Sequence, residues 1–317
     1  MPLPRQTLAD LVIAADIVAF GQLDPEQPFA FVAEQIVKGQ VTDRHVDLFA
    51  DSTTRRQLAA DSNRHVLLVK SREGWQNLGV VDAEFEQIVR RILLFAAEWN
   101  RADGAARRLE YFLSLWNPDH RSQFELAYLE LGKAPYAAIR QFGRQIAFED
   151  LQPLLTRRDY LEWRALAILM VAQRDDPASQ QLITDGFAQC TRYGTTANLA
   201  AWATGYVEVH RSAGVDVIEQ EYFRNPGRTE VEIRGVLAAL SVQARQNDVK
   251  LRERIVVGYG SALSVHPQVA GLVVRDLADW NESRYAQEIG LILANPELKF
   301  DEGERMRLER YARAAGD

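Results

Sequence analysis

The five histidines, His45, His65, His120, His210 and His266, come first, because imidazole is the commonest metal ligand and the side chain that titrates nearest neutral pH. Their scattered positions give no metal-ligand spacing. His45 and Asp47 would share one face of a strand, with His65 on a neighbouring strand, which is the single arrangement compatible with a metal site. The polar outer face of a sheet supplies the same residues without a ligand. Glu219 and Glu221 are two apart on a helix and so point in different directions, which does not suit an acid and a base sharing one substrate. Cys190 is the only cysteine, so neither an internal disulfide nor a cysteine-based zinc site can form. It lies beside Leu182 and Phe187 at a core position of a predicted helix, where a thiol is inert packing.

Two further stretches invite a ligand. "GYGSA", residues 258–262, lacks the spacing of a phosphate loop, a dinucleotide fingerprint or a nucleophile elbow, and falls inside an apolar helical run where glycines permit close packing. "RNPGRTEVEIRG", residues 224–235, is a loop entering a helix whose amino terminus, with Arg224 and Arg228, would suit an anion; an ordinary capped turn has the same composition. Trp99, Trp163, Trp202 and Trp280 all occupy core-compatible helical positions. The sequence therefore assigns no catalytic, cofactor-binding or metal-binding residue and implies no cofactor.

Composition narrows the classes. The 317 residues are 47% hydrophobic and 26% charged, an ordinary globular balance. The net charge of −7 is shared between residues 1–81 and 82–317, so neither part carries the basic excess expected of a surface that tracks phosphates. Of the 37 basic residues 32 are arginine, scattered over helix faces as pairs such as Arg90-Arg91 and Arg107-Arg108; coding bias and solvated faces account for them. No run approaches the length of a membrane span, and no basic-then-apolar leader opens the chain. A cytoplasmic protein is expected if Met1 is native, and an exported one if a leader has been removed.

The elements that must position any site fall into two parts. Thr7 and Asp10 have capping-box spacing for a short helix at residues 8–15. Strand patterns follow at residues 16–23, 28–38, 44–49, 65–71 and 75–81, with one helix, capped by Ser52 or Thr53, before the fourth. In "PFAFVAEQIVKGQV" the alternation slips, since Phe29 and Phe31 share one parity and Val32 and Ile36 the other. A bulge near residues 32–34 would flip the facing and bend the strand, as a small closed barrel requires. Five such strands predict an oligonucleotide/oligosaccharide-binding type of barrel over residues 1–81. "ADIVAFGQL", "FAFVAEQIVKG", "RHVDLFA" and "RHVLLVKSREGWQNLG" resemble the small β-barrel of netrin-like and tissue-inhibitor-like modules. Those inhibitors depend on an amino-terminal cysteine and disulfides, so the resemblance implies the barrel and not the inhibition.

From Asp82 the apolar period changes from two to 3.6, through Phe85, Ile88, Val89, Ile92, Leu93, Ala96 and Trp99, and residues 82–317 are predicted to be helical throughout. A helix runs from Asn117-Pro118 through Phe124, Tyr128 and Leu131, and a pair of helices covers residues 135–157. Helix starts are then expected at Asp159 (with Glu162), Asp176-Pro177, Thr195 or Thr196, Val215, Thr229 (with Glu232), Asp248, Pro267, and Asn281 or Ser283. Alternate starts at 159, 195, 229 and 267 are 36, 34 and 38 residues apart, the period of stacked helical hairpins. "YLEWRALAILMVA", residues 160–172, is apolar nearly all round, as an inner helix of such a stack should be. The pattern resembles HEAT-like or armadillo-like repeats over residues 103–317, with Met306, Leu308 and Tyr311 as the contacts of a terminal capping helix.

The fold expected is thus two-part α+β, a small barrel followed by a helical solenoid. The function expected is non-enzymatic: a scaffold or interaction protein holding a macromolecular partner, most simply another protein, on the helical surface. Two alternatives belong to other classes. One is an enzyme on a HEAT-like scaffold, as in certain DNA glycosylases, against which the acidic balance weighs. The other is peptide or oligosaccharide binding by the barrel, with the helices as platform.

Overall fold

Two central strands, β1 (Ile17–Leu23) and β4 (His65–Ser71), organise the amino-terminal sheet. The computed structural model describes residues 6–313 apart from Ala102, Pro118, Asn247 and the side chain of Asp159. With β2 (Phe31–Lys38), β3 (His45–Val46) and β5 (Gly74–Val81), the strands form one antiparallel sheet in the order β3-β2-β1-β4-β5. Both faces of the central pair are buried, which is why they read as near-continuous apolar runs. Val18, Phe20, Leu67 and Val69 pack on one side, Ala19, Val66 and Leu68 on the other.

The slip of alternation in β2 is a bulge. Gly21 pairs with Ala33 and Phe20 with Gln35, so Glu34 is extra; Ala19 pairs with Ile36 and Val18 with Lys38, so Val37 is a second extra residue. Phe31, Ala33 and Ile36 consequently reach the same core despite their mixed parity. The barrel, however, does not close. β3 and β5 are the two edges, so the strands make a curled half-barrel. Closure fails because the third strand is only two residues long: Ala50 N–H bonds the Phe29 carbonyl at 2.8 Å, off the ladder, and α2 (Ser52–Ala60) supplies Leu58 to the open face instead. Phe29 precedes β2 and is half-exposed, not a core strand residue as its parity predicts.

Thr7 and Asp10 form the expected capping box of α1 (Leu8–Ala14), and Asp51, not Ser52 or Thr53, caps α2 by accepting from Thr53 and Thr54 N–H. The strands end at Val81, and the chain divides into two compact units, Met1–Ala134 and Pro135–Asp317. The first unit therefore also contains α3 (Ala83–Trp99), α4 (Gly104–Leu113) and α5 (Arg121–Lys133). α3 lays Ile88, Val89 and Ile92 on the sheet, and Trp99 packs with Tyr111 and Phe112 of α4. Arg108 ties the helices together by bonding Asp10 of α1 and, through two nitrogens, Glu130 of α5.

The second unit is helical among its described residues: α6 (Tyr136–Gly143), α7 (Phe148–Thr156), α8 (Arg164–Val171), α9 (Pro177–Tyr193), α10 (Leu199–Ile218), α11 (Glu230–Ala244), α12 (Val249–Val265), α13 (Ala270–Asp279), α14 (Ala286–Ala294) and α15 (Glu302–Arg313). Asp176, Thr229 and Asp248 cap as their sequences predict. Several expectations need correction. The helix expected from Thr195 or Thr196 begins only at Leu199, behind Asn198 at φ 58°. Residues Arg158–Trp163 form a 3-10 segment with Tyr160 off helical geometry, and α8 starts only at Arg164, because consecutive bulky residues, Tyr160, Leu161 and Trp163, precede the apolar repeat; Leu161 is half-exposed, and the expected cap at Asp159 lies outside the described side chains. Asn281 adopts a left-handed turn (φ 54°) and α14 begins after Tyr285. Met306 is exposed, so α15 is held by Leu308 and Tyr311.

α10 is two helical segments that double back on each other. Arg211 has φ 54° and ψ −131°, and a Cβ at Gly214 would lie 3.1 Å from the Val207 Cα, whereas residues seven apart in a straight helix are separated by about 10 Å. Val215, expected to start a helix, instead lies inside the second segment, which follows the break at Arg211 with no loop between. Among the described residues no helix is long and apolar enough to cross a membrane.

Candidate functional site

The structure separates the residues that the sequence brings to notice. His45 Nδ1 lies 3.0 Å from Asp24, and His65 Nδ1 lies 2.6 Å from Glu86, so the two histidines engage different carboxylates and do not meet Asp47 in a common site. Among the described residues no group of three histidines, cysteines or acids is placed to hold a metal ion. His210 contacts the Thr184 hydroxyl at 2.8 Å and the Tyr206 ring, where burial lowers its pKa. His266 is buried with Nε2 3.2 Å from the Tyr222 carbonyl, and His120 is exposed at the start of α5. Cys190 packs in the core with Phe187, and burial pushes its thiol pKa up.

Glu219 and Glu221 diverge: Glu219 is buried and Glu221 exposed. Glu219 opens a π-helical turn, Glu219–Phe223, whose extra residue aims its carboxylate at Arg224, Arg254 and Ser261. These partners outweigh desolvation and hold its pKa at about 2. The loop arginines are not free for an anion, since Arg224 is engaged by Glu219, and Arg228 by Glu232 and by the Thr191 and Glu221 carbonyls. In "GYGSA", Gly260 abuts the Tyr285 ring: a Cβ there would come within 2.7 Å of its hydroxyl. Gly260 therefore serves packing, whereas a Cβ at Gly258 would meet only ordinary contacts, the nearest 3.6 Å away on Arg254.

Sequence reading missed a buried polar network centred on Glu208. Helices α6, α10 and α11 deliver five donors onto this one carboxylate: Tyr136 Oη at 3.1 Å, Arg140 Nε and Nη2 at 3.1 and 2.8 Å, Arg211 Nη2 at 3.2 Å and Gln243 Nε2 at 3.1 Å. Burial, reinforced by the adjacent Glu208 charge, pushes the Tyr136 phenol far above its ordinary range. The Gln243 amide is fixed because its nitrogen must also donate to the Thr204 carbonyl, at 2.9 Å, which leaves its oxygen buried and unpaired. A phenol so placed keeps its proton. The network suits rigidity better than proton transfer. Asp276 repeats the theme, accepting from Ser241 at 2.8 Å, Tyr259 at 3.0 Å and Arg245 at 3.3 Å. The signal available in sequence was an acid among apolar residues, Glu208 in "GYVEVH" and Asp276 in "LVVRDLADW", which only burial makes meaningful.

Surface chemistry gathers at a cleft of about 500 Å³ between α13 and α15. Val274, Ala278 and Tyr311 give it an apolar side, and Arg275, Arg307 and Arg310 line it as well. Burial pushes the Tyr311 phenol up to about 12, so it stays neutral. Of the acids at the rim, Asp279 faces Arg245 at 3.0 Å and Glu282 faces Arg284 at 2.7 Å.

No protein-family model, curated protein or solved structure matches the chain.

Proposed function

We propose that the protein is a non-enzymatic interaction or scaffold protein whose second unit, read as a HEAT-like stack of helical hairpins, presents its surface to a protein partner. One observation carries this reading. Each of the six buried carboxylates among the described residues, Glu86, Glu130, Glu208, Glu219, Glu232 and Asp276, is engaged by His, Arg, Tyr, Ser or Thr groups of the chain itself. Polar groups closed on one another hold helices in fixed register and leave recognition to the surface. The test is co-purification of the full chain from its native host, followed by calorimetry with the purified partner. Saturable binding that persists in Glu208→Gln supports the reading. Substrate turnover abolished in the folded Glu208→Gln variant would overturn it.

A second reading, binding of a peptide or a sugar ring by the half-barrel, is supported by Phe29 and Phe49. These exposed rings stack at 5.9 Å with 5° between their planes, and the Arg55 guanidinium lies 4.4 Å over Phe29. Such a pair offers a flat apolar face to a planar group. Phe49→Ala in the full chain is the suitable probe: loss of binding there would assign recognition to the first unit, and retention would return it to the helices.

A further inference from the structure

We infer that the α13–α15 cleft is a binding site for an amphipathic organic anion, one whose apolar body rests on Val274, Ala278 and Tyr311 and whose carboxylate or phosphate is held by Arg307 and Arg275. Three observations converge on it. The first is size: about 500 Å³ lies within the range of small-molecule sites.

The second is uncompensated charge. Arg307 and Arg310 make no ion pair among the described residues, although their sequence neighbours Glu304 and Glu309 lie on the same helix. Among the described residues Arg275 pairs only with the buried Asp276 carboxylate, 3.7 Å from its Nε, and that carboxylate is already engaged by Ser241, Tyr259 and Arg245. The rim acids Asp279 and Glu282 face Arg245 and Arg284. Many arginines of this unit close on carboxylates, as Arg140 does on Glu208, Arg224 and Arg254 on Glu219, and Arg284 on Glu253. Arg144, Arg192, Arg252 and Arg305 also form no ion pair among the described residues, but in the cleft two such groups, Arg307 and Arg310, line one concavity, and a guanidinium presents a planar fork that matches a carboxylate or phosphate.

The third observation is the join of the two helices. A Cβ at Gly271 would lie 2.9 Å from the Glu304 carboxylate, so the absence of a side chain there lets α15 sit close against α13. The floor is therefore fixed by packing, with Leu308 and Tyr311 buried beside it. Arg310 is in the last turn of α15, where a cation also complements the helix dipole. Arg307, a turn earlier, and Arg275, on the other helix, are the residues that isolate ligand binding from that effect.

The experiment is isothermal titration of the full chain with 4-phenylbutyrate, phenyl phosphate, 4-phenylbutanol and inorganic phosphate. The expected result is saturable binding of the two aryl anions, at least about tenfold tighter than the alcohol or the inorganic ion. Arg307→Gln and Arg275→Gln, both at exposed positions, should each weaken the anions about tenfold and leave the alcohol unchanged. Ala278→Trp, which fills the floor, should abolish binding of all the aryl probes with no change in the circular dichroism spectrum. Equal affinity for phenylbutyrate and phenylbutanol, anion binding unaltered by Arg307→Gln, or no saturation by about 10 mM would overturn the inference. Preference between the carboxylate and the phosphate ester identifies which head group the site takes. Protein-partner capture is measured separately, so failure of the cleft and failure of the scaffold reading give different results.

Discussion

Arg211 donates from Nη2 to the buried carboxylate of Glu208 at 3.2 Å while its own backbone occupies φ 54°, ψ −131°, a region that glycine enters freely and other residues rarely do. The reversal of α10 and the ion pair that faces it are thus built by one residue, and the side chain offsets part of the strain of the backbone. Strain of this kind costs roughly 1–3 kcal/mol.

The strain predicts an inverted ranking of two substitutions. Arg211→Ala loses the ion pair and keeps the strain; Arg211→Gly loses both. At an ordinary helical position glycine is the less stable by about 0.5–1 kcal/mol. Here Arg211→Gly should be more stable than Arg211→Ala by about 1–2 kcal/mol in urea unfolding, and the usual order would refute the strain.

Removal of the centre of the network should be costly because its donors stay behind. Glu208→Gln leaves Arg140 opposite a neutral amide and is expected to destabilise by about 3 kcal/mol. Tyr136→Phe deprives the Gln173 amide of an acceptor 3.0 Å away and should cost about 1–2 kcal/mol. A double-mutant cycle should return a coupling energy well above zero, since Tyr136 and Glu208 bond each other.

Acid should expose the Glu219 network. Its pKa is about 2 in the folded chain against an ordinary 4.5, so its ion pairs contribute stability that is complete above about pH 4.5 and is lost as the pH falls towards 2. The Asp10 and Glu232 carboxyls are lowered in the same direction. Denaturant midpoints of the wild type and Glu219→Gln should differ at pH 6 and converge near pH 2. A constant gap across that interval would show that the charge of Glu219 plays no part.

Two helical glycines should respond oppositely to alanine. At Gly186 of α9 a methyl would overlap the Trp202 ring, and Gly186→Ala is expected to lose about 1–3 kcal/mol. At Gly290 of α14 a methyl would meet nothing within 4 Å among the described residues, and Gly290→Ala should gain about 0.5–1 kcal/mol. Thermal unfolding of the two variants separates a packing glycine from an incidental one.

Much of the local structure was legible before any coordinates. The parity slip between Phe31 and Ile36 required an extra residue, found at Glu34, and the caps at Thr7, Asp176, Thr229 and Asp248 are local hydrogen-bonding motifs whose partners lie within a few residues. Such features depend on neighbouring residues alone, so the sequence by itself determined them, together with the change from strands to helices at Asp82. What only the tertiary structure decided depends on distant residues. Whether five strands close is settled by a two-residue third strand and by Leu58 of α2 on the open face. Whether Glu208 is a solvated acid or the hub of five donors is settled by Tyr136, Arg140 and Gln243, which reach it from 72, 68 and 35 residues away. The cleft follows the same logic: Arg275 and Arg307 are ordinary surface residues until α15 packs against α13 and brings them to one concavity, whose rim acid Asp279 is taken up by Arg245.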